Sequence, residues 1–219
     1  LFEAIRAGLS SVPEAEVALV SDLVRDYGPK RALKTVREIN EVKDQGIIGV
    51  GLGGSEHKFP PGRFEKAYKE ARELGFRTTA HAGEAAGAQS IWGAIRKLDV
   101  DRIGHGTRAG QDESLLDYLV EKQIPLEMCP ISNIKTGVVG SIECHPVKRY
   151  FDKGILLTIN TDDPLMFGNS LVEEYRTLVE VHGLTRDEIR TLMLNGIKAS
   201  WLLPERKEQL VKEFSGELE

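Results

Sequence analysis

PGRFEKAYKEARELGFRTTAHAGE, residues 61–84, contains one complete structural repeat. Phe64, Ala67, Tyr68, Ala71 and Leu74 recur at intervals of three and four, the signature of a helix with one apolar face. Pro61 opens that helix and Gly75 follows its end, as helix punctuation requires. Phe76–Ala80 then reads as a strand, and His81 and Glu84 stand just beyond it. A helix, a sharp turn, a strand and two chemically active side chains in succession make one turn of a parallel β/α fold.

The same unit recurs along the chain. Working outward, apolar strand-like runs occupy Val17–Leu23, Ile47–Leu52, Asp101–Gly104, Ile124–Met128 and Ile155–Asn160. Helical periodicity predicts helices over Lys30–Lys43, Ser90–Lys97, Ser114–Lys122, Pro146–Asp152 and Leu171–Val181. Thr185-Arg-Asp-Glu188 fits a capping box that opens a helix through Ser200, and a last helix starts near Pro204. About six strand–helix units leave two candidate folds, a doubly wound sheet and a β/α barrel. "GVGLGG" ends a strand but lacks the spacing of a dinucleotide-binding GxGxxG.

Composition narrows the function. With 219 residues, 41% of them hydrophobic and 29% charged, the chain can build a core and solvate its surface. A net charge of −5 without a long basic run argues against a nucleic-acid surface, which needs a basic face. No apolar run approaches the roughly 20 residues that span a bilayer, and no secretory signal is visible. The two cysteines, Cys129 and Cys144, form neither a disulfide framework nor a CxxC pair. They read as reduced thiols of a cytoplasmic protein, with Cys129 in an apolar setting.

The chemistry collects at strand ends. His81 and Glu84 follow one strand, His105 in Gly104-His-Gly106 another, and Asp162 and Asp163 in Asn160-Thr-Asp-Asp-Pro164 a third. In a β/α barrel the carboxyl ends of the strands carry the active site, so these residues are expected to converge there. Imidazole and carboxylate are ligands of catalytic zinc, which lowers the pKa of bound water to near 7. A further carboxylate and imidazole would then move protons. The glycines beside His81 and His105 would let a substrate approach the backbone closely. Each piece alone has a plainer reading: Asp-Asp-Pro as a helix N-cap, Gly-His-Gly as a turn, Glu84 as a charge at a helix start. Their joint placement at matching strand ends favours a site.

These segments resemble a known family. His81-Ala-Gly-Glu84, Arg102-Ile-Gly-His-Gly106, Leu126-Glu-Met-Cys-Pro-Ile-Ser-Asn133 and Leu157-Thr-Ile-Asn-Thr-Asp-Asp-Pro164 look like the adenosine/adenine deaminases, zinc-dependent β/α barrels of the amidohydrolase superfamily. Gly51-Leu-Gly-Gly-Ser-Glu56 resembles that family's glycine segment. The resemblance implies an α/β fold, a (β/α)8 TIM-type barrel, and hydrolytic deamination of a 6-aminopurine by zinc-activated hydroxide. It implies His81 and Asp162 as zinc ligands, and Glu84 as the group that protonates purine N1. His105 would orient the attacking water and stabilise its developing charge. Asp163 would hydrogen-bond that water and purine N7, and the Gly54 N–H would meet purine N3. Glu127 and Ser132 are candidates for supporting the first set.

The match has two departures. The family's other two zinc ligands form a His-x-His on the first strand, and no His-x-His occurs here. His57, His145 and His182 do not replace it: they read as a loop residue beside the pocket, a helix cap and a helix end. The chain is therefore expected to begin after roughly the first third of the family's length, with six of the eight strands of a barrel. It would be one metal-dependent hydrolase domain over 1–219, incomplete at its amino end. Gly51 replaces the acidic residue of many adenosine-type members, so adenosine, adenine and aminodeoxyfutalosine all stand as substrates. Two alternatives belong beside the enzyme: a purine-binding relative without catalysis, and an amidohydrolase acting on another heterocyclic amine.

Overall fold

The computed structural model describes residues 2–13 and 15–217, which fall into two compact units. The first comprises Leu1–His81 and Gln89–Asp101; the second comprises Ala82–Ala88 and Arg102–Glu219.

In the first unit, α1 (Phe2–Leu9) precedes β1 (Leu19–Asp22), α2 (Gly28–Asn40), β2 (Ile47–Gly51), α3 (Glu65–Glu73) and β3 (Arg77–Ala82). Its strands pair in parallel, with Asp22 opposite Gly51 and Gly49 opposite Arg77. The apolar stripe of α2 buries Ala32, Val36 and Ile39, and that of α3 buries Ala67, Tyr68 and Ala71. α4 (Ala88–Gly93) continues into a π-helical turn, Ala94–Leu98, that stops where Asp99 turns left-handed.

Two features of this unit differ from the sequence expectation. The predicted helix Pro61–Leu74 begins as a 3-10 turn over Pro61–Phe64 and becomes α-helical only at Glu65. Consecutive prolines at 60 and 61 supply no backbone donors, and Phe64 sits outside the helical basin at φ −103° and ψ 6°. β3 also runs further than expected and includes His81, because the His81 N–H donates to the Leu52 carbonyl at 3.1 Å.

The second unit holds β4 (Arg102–His105), α5 (Glu113–Lys122), β5 (Leu126–Met128), α6 (Pro130–Lys135), α7 (Val147–Lys153) and β6 (Leu157–Ile159). Four helices follow: α8 (Pro164–Phe167), α9 (Leu171–His182), α10 (Arg186–Ala199) and α11 (Pro204–Glu217). Its strands are again parallel, with Ile103 opposite Leu126 and Leu126 opposite Leu157. Strands buried on both faces need apolar side chains throughout, and Ile103, Leu126, Met128 and Leu157 are fully buried. Parallel strands joined by helices in both units give an α/β fold. Among the described residues no helix is long and apolar enough to cross a membrane.

Candidate active site

In the second unit, the turn after β3 and the end of β4 are laced together. Gly106 N–H donates to the Ala82 carbonyl, and Arg108 N–H and the Thr107 hydroxyl both donate to the Gly83 carbonyl. The buried Tyr150 hydroxyl in turn donates to the Thr107 carbonyl at 2.8 Å. This lacing sets Glu84 beside His105, with Glu84 Oε2 3.5 Å from His105 Nε2. His105 is buried and holds a left-handed backbone at φ 62°. Gly106 adopts φ 67°, and a Cβ there would meet Leu126 Cδ2 at 2.9 Å. Packing against Leu126 thus gives Gly106 a structural requirement for glycine.

Asp162 occupies the loop after β6, exposed and left-handed at φ 59°. Asn169 Nδ2 holds that loop through the Thr161 carbonyl, and Asn160 N–H donates to the Met128 carbonyl. Ser132 at the start of α6 is fully buried and donates its hydroxyl to Asp162 Oδ2 at 2.7 Å. Donor atoms of His105, Cys129 and Asp162 lie within 4.8 Å of one another. Burial, reinforced by Asp162, pushes the Cys129 thiol well up, which keeps it protonated at neutral pH. Cys129 and Cys144 are both free. Glu84, His105 and Asp162 are therefore neighbours within one unit, although 78 positions separate the first from the last.

The remaining expected residues divide. Asp163 caps α8, its Oδ1 accepting from Met166 N–H at 2.8 Å, so the plainer reading of Asp-Asp-Pro is realised at that oxygen. Glu127 pairs with Arg102 at 3.1 Å, and that guanidinium also stacks on Trp201. His57 is exposed, and His182 ends α9 ahead of the left-handed Gly183.

His81 and Gly54 lie in the first unit. There Asp22 faces His81 and accepts from the Gly53 N–H; burial raises its carboxyl and these two contacts oppose the rise. Arg25, fully buried, donates to the carbonyls of Phe59 and His81 at 2.6 and 2.5 Å. Gly54 is left-handed at φ 93°, and a Cβ there would collide with Asp26 Oδ2. Asp26 fixes this turn by accepting from the Ser55 N–H and hydroxyl.

Asp22, Arg25, Asn133 and Glu174 lie outside the set expected from the sequence. Glu174 is fully buried and accepts from Ile131 N–H and Asn169 Nδ2, tying α9 to α6 and to the Asp162 loop. For Asp22, Arg25 and Glu174 the signal is charge inside otherwise apolar or amphipathic segments, since buried charge persists only with partners; the neutral Asn133 carries no such signal.

A family model described as Adenosine deaminase matches residues 3–216. The chain belongs to that family. Adenine deaminase of Wolinella succinogenes is 43% identical over 168 residues, covering 77% of this chain and 51% of the relative. Adenosine deaminase of Klebsiella pneumoniae is 37% identical over 213 residues, covering 96% and 64%. The crystal structure of an adenine deaminase from Arthrobacter aurescens superposes with a TM-score of 0.87 at 34% identity, over 91% of this chain and 61% of that one. A zinc-bound amidohydrolase from Burkholderia ambifaria gives 0.90 at 26% identity, over 97% and 60%. The family's fold is the TIM-type barrel, and this chain shares its α/β class. It spans about half to just under two-thirds of the length of the curated relatives it matches.

Proposed function

We propose that this chain supplies the strand-end residues of a zinc-dependent hydrolase that deaminates a 6-aminopurine nucleoside or base. The observation that carries the reading is the cluster of Glu84, His105 and Asp162, with Ser132 orienting Asp162. The donor chemistry fits a metal: Asp162 keeps one carboxylate oxygen clear of its bond to Ser132, and imidazole and carboxylate are zinc donors. His81 and Asp162 would hold the ion, with two further histidines of the family pattern completing the set. When bound, zinc supplies a lowered pKa for water and Lewis-acid charge stabilisation. Residues 1–219 would form part of one such hydrolase domain, and two free thiols suit the cytoplasm.

The protein's own groups divide the work. Glu84 delivers a proton to purine N1 as water adds to C6. His105 presents its Nε2–H to the oxygen on which charge develops, the arrangement that most effectively lowers such a barrier. Asp163 accepts from the attacking water and meets N7, using the oxygen not engaged by Met166. The Gly54 N–H positions N3. The C6–N bond then breaks as the amine takes up the proton that Asp163 accepts from water, and the C6 hydroxyl returns a proton to Glu84, leaving a 6-oxopurine and ammonia.

Glu84→Gln tests the proton role in the whole protein. Zinc content should be unchanged while kcat falls by about 10²–10⁴-fold, the usual worth of a positioned acid. Near-normal kcat in this variant would show that N1 is protonated by another group.

A further inference from the structure

We infer that His145 is a positioning residue which, acting through Asn133, fixes His105 in the tautomer that carries its proton on Nε2. The inference rests on the deaminase reading only for the use made of that proton. The hydrogen-bond chain itself stands on geometry within the second unit.

The chain begins at a group whose polarity is not in question. Val147 N–H, in the first turn of α7, points at His145 Nδ1 at 3.3 Å. A backbone amide can only donate, so Nδ1 must accept and the neutral ring carries its hydrogen on Nε2. His145 Nε2 lies 3.1 Å from Asn133 Oδ1, so this nitrogen donates and the amide oxygen accepts. That settles which way the Asn133 amide faces: its Nδ2 is turned to His105 Nδ1 at 3.0 Å and donates to it. His105 Nδ1 is then an acceptor, and its proton sits on Nε2, the nitrogen facing Glu84. Each assignment forces the next, and reversing any one leaves two donors or two acceptors opposed.

The environment favours this arrangement. His145, Asn133 and His105 are 3%, 0% and 2% exposed, so water does not compete for these bonds. Burial, helped by His182 and His105, lowers the His145 pKa to about 3, so the ring is neutral and can accept from Val147. No protein atom of this chain other than Asn133 Nδ2 is needed to explain the tautomer. A histidine supported from behind by a hydrogen-bonding partner is the usual means of fixing which nitrogen reacts.

The test is an assigned long-range proton–nitrogen spectrum of the histidine side chains in the whole, zinc-loaded protein at neutral pH. His105 and His145 should both show a protonated Nε2 and an unprotonated Nδ1. A protonated Nδ1 on either ring in the unmodified protein overturns the inference, whether or not variants fold. Asn133→Asp replaces the donor by an acceptor, so His105 should move its proton to Nδ1. Its kcat should fall on the order of 10²-fold or more, with KM little changed. His145→Asn keeps an acceptor near Nδ1 but removes the Nε2 donor, and should lower kcat by about 10- to 100-fold. His145→Gln, which places an amide nitrogen near the lost Nε2, should restore most of it. An unmoved His105 spectrum in Asn133→Asp would refute the proposal. If the unmodified protein turned over no 6-aminopurine, the deaminase reading would fail while the spectrum still decided the tautomer.

Discussion

Asp162 and His105 hold left-handed backbone at φ 59° and 62°, a conformation that costs a side-chain-bearing residue about 1–2 kcal/mol. The other described non-glycine residues in this region, Asp99 and Gln123, simply terminate helical segments. Left-handed backbone at these two positions, held by named bonds, is consistent with the proposed site. The bond that holds Asp162 comes from Ser132. Ser132→Ala should therefore weaken zinc binding by about 10–100-fold, read by chelator competition; unchanged affinity would detach Ser132 from the site. His145 yields a second expectation at this scale. Its folded pKa lies below its unfolded value, so the unfolded chain binds more protons between about 6.5 and about 3. Stability should thus fall as pH drops through that window, by up to about 1.4 kcal/mol per pH unit from this group. His145→Gln should flatten that slope in urea denaturation followed across pH. The proximity of Glu84, His105 and Asp162 was legible in the sequence because strand-end placement is a local signal. Asn133 and the second role of His145 were not, because their partners lie 28 and 12 positions away and only the fold brings them together.

Local patterning carries the elements. Thr185 and Glu188 form the capping box read from the sequence: Glu188 N–H donates to Thr185 Oγ1, and Thr185 N–H to Glu188 Oε2. Thr185→Ala should cost about 1 kcal/mol of unfolding free energy, measured by denaturant titration. The contacts with Thr185, then Lys148, hold the Glu188 carboxyl below its ordinary range. A depressed folded pKa contributes stability that is complete above the unfolded pKa and disappears as pH falls through the folded one. The stability difference between the unmodified protein and Glu188→Gln should accordingly vanish in acid; a difference that persists there would assign it to something other than ionisation. Boundaries were less legible than the elements. The 3-10 start at Pro61–Phe64, the π turn at Ala94–Leu98 and the extension of β3 through His81 all depend on backbone partners that periodicity does not reveal.

At the scale of the molecule, alternation of strands and helices sufficed to give the α/β class, and the motif order sufficed to give the family. A resemblance spread over residues 3–216 is difficult to produce from isolated turns or caps. His105 ends β4 and Asp162 follows β6, so the candidate residues stand at or just past the carboxyl ends of parallel strands, where β/α folds keep their chemistry. The matched relatives extend well beyond this length. The most direct measurement is ultraviolet absorption of adenosine, adenine and aminodeoxyfutalosine incubated with the whole zinc-loaded protein, with released ammonia assayed in parallel. At least one of the three should be converted to its 6-oxopurine with one ammonia per turnover. Unchanged spectra and no ammonia with all three would contradict it.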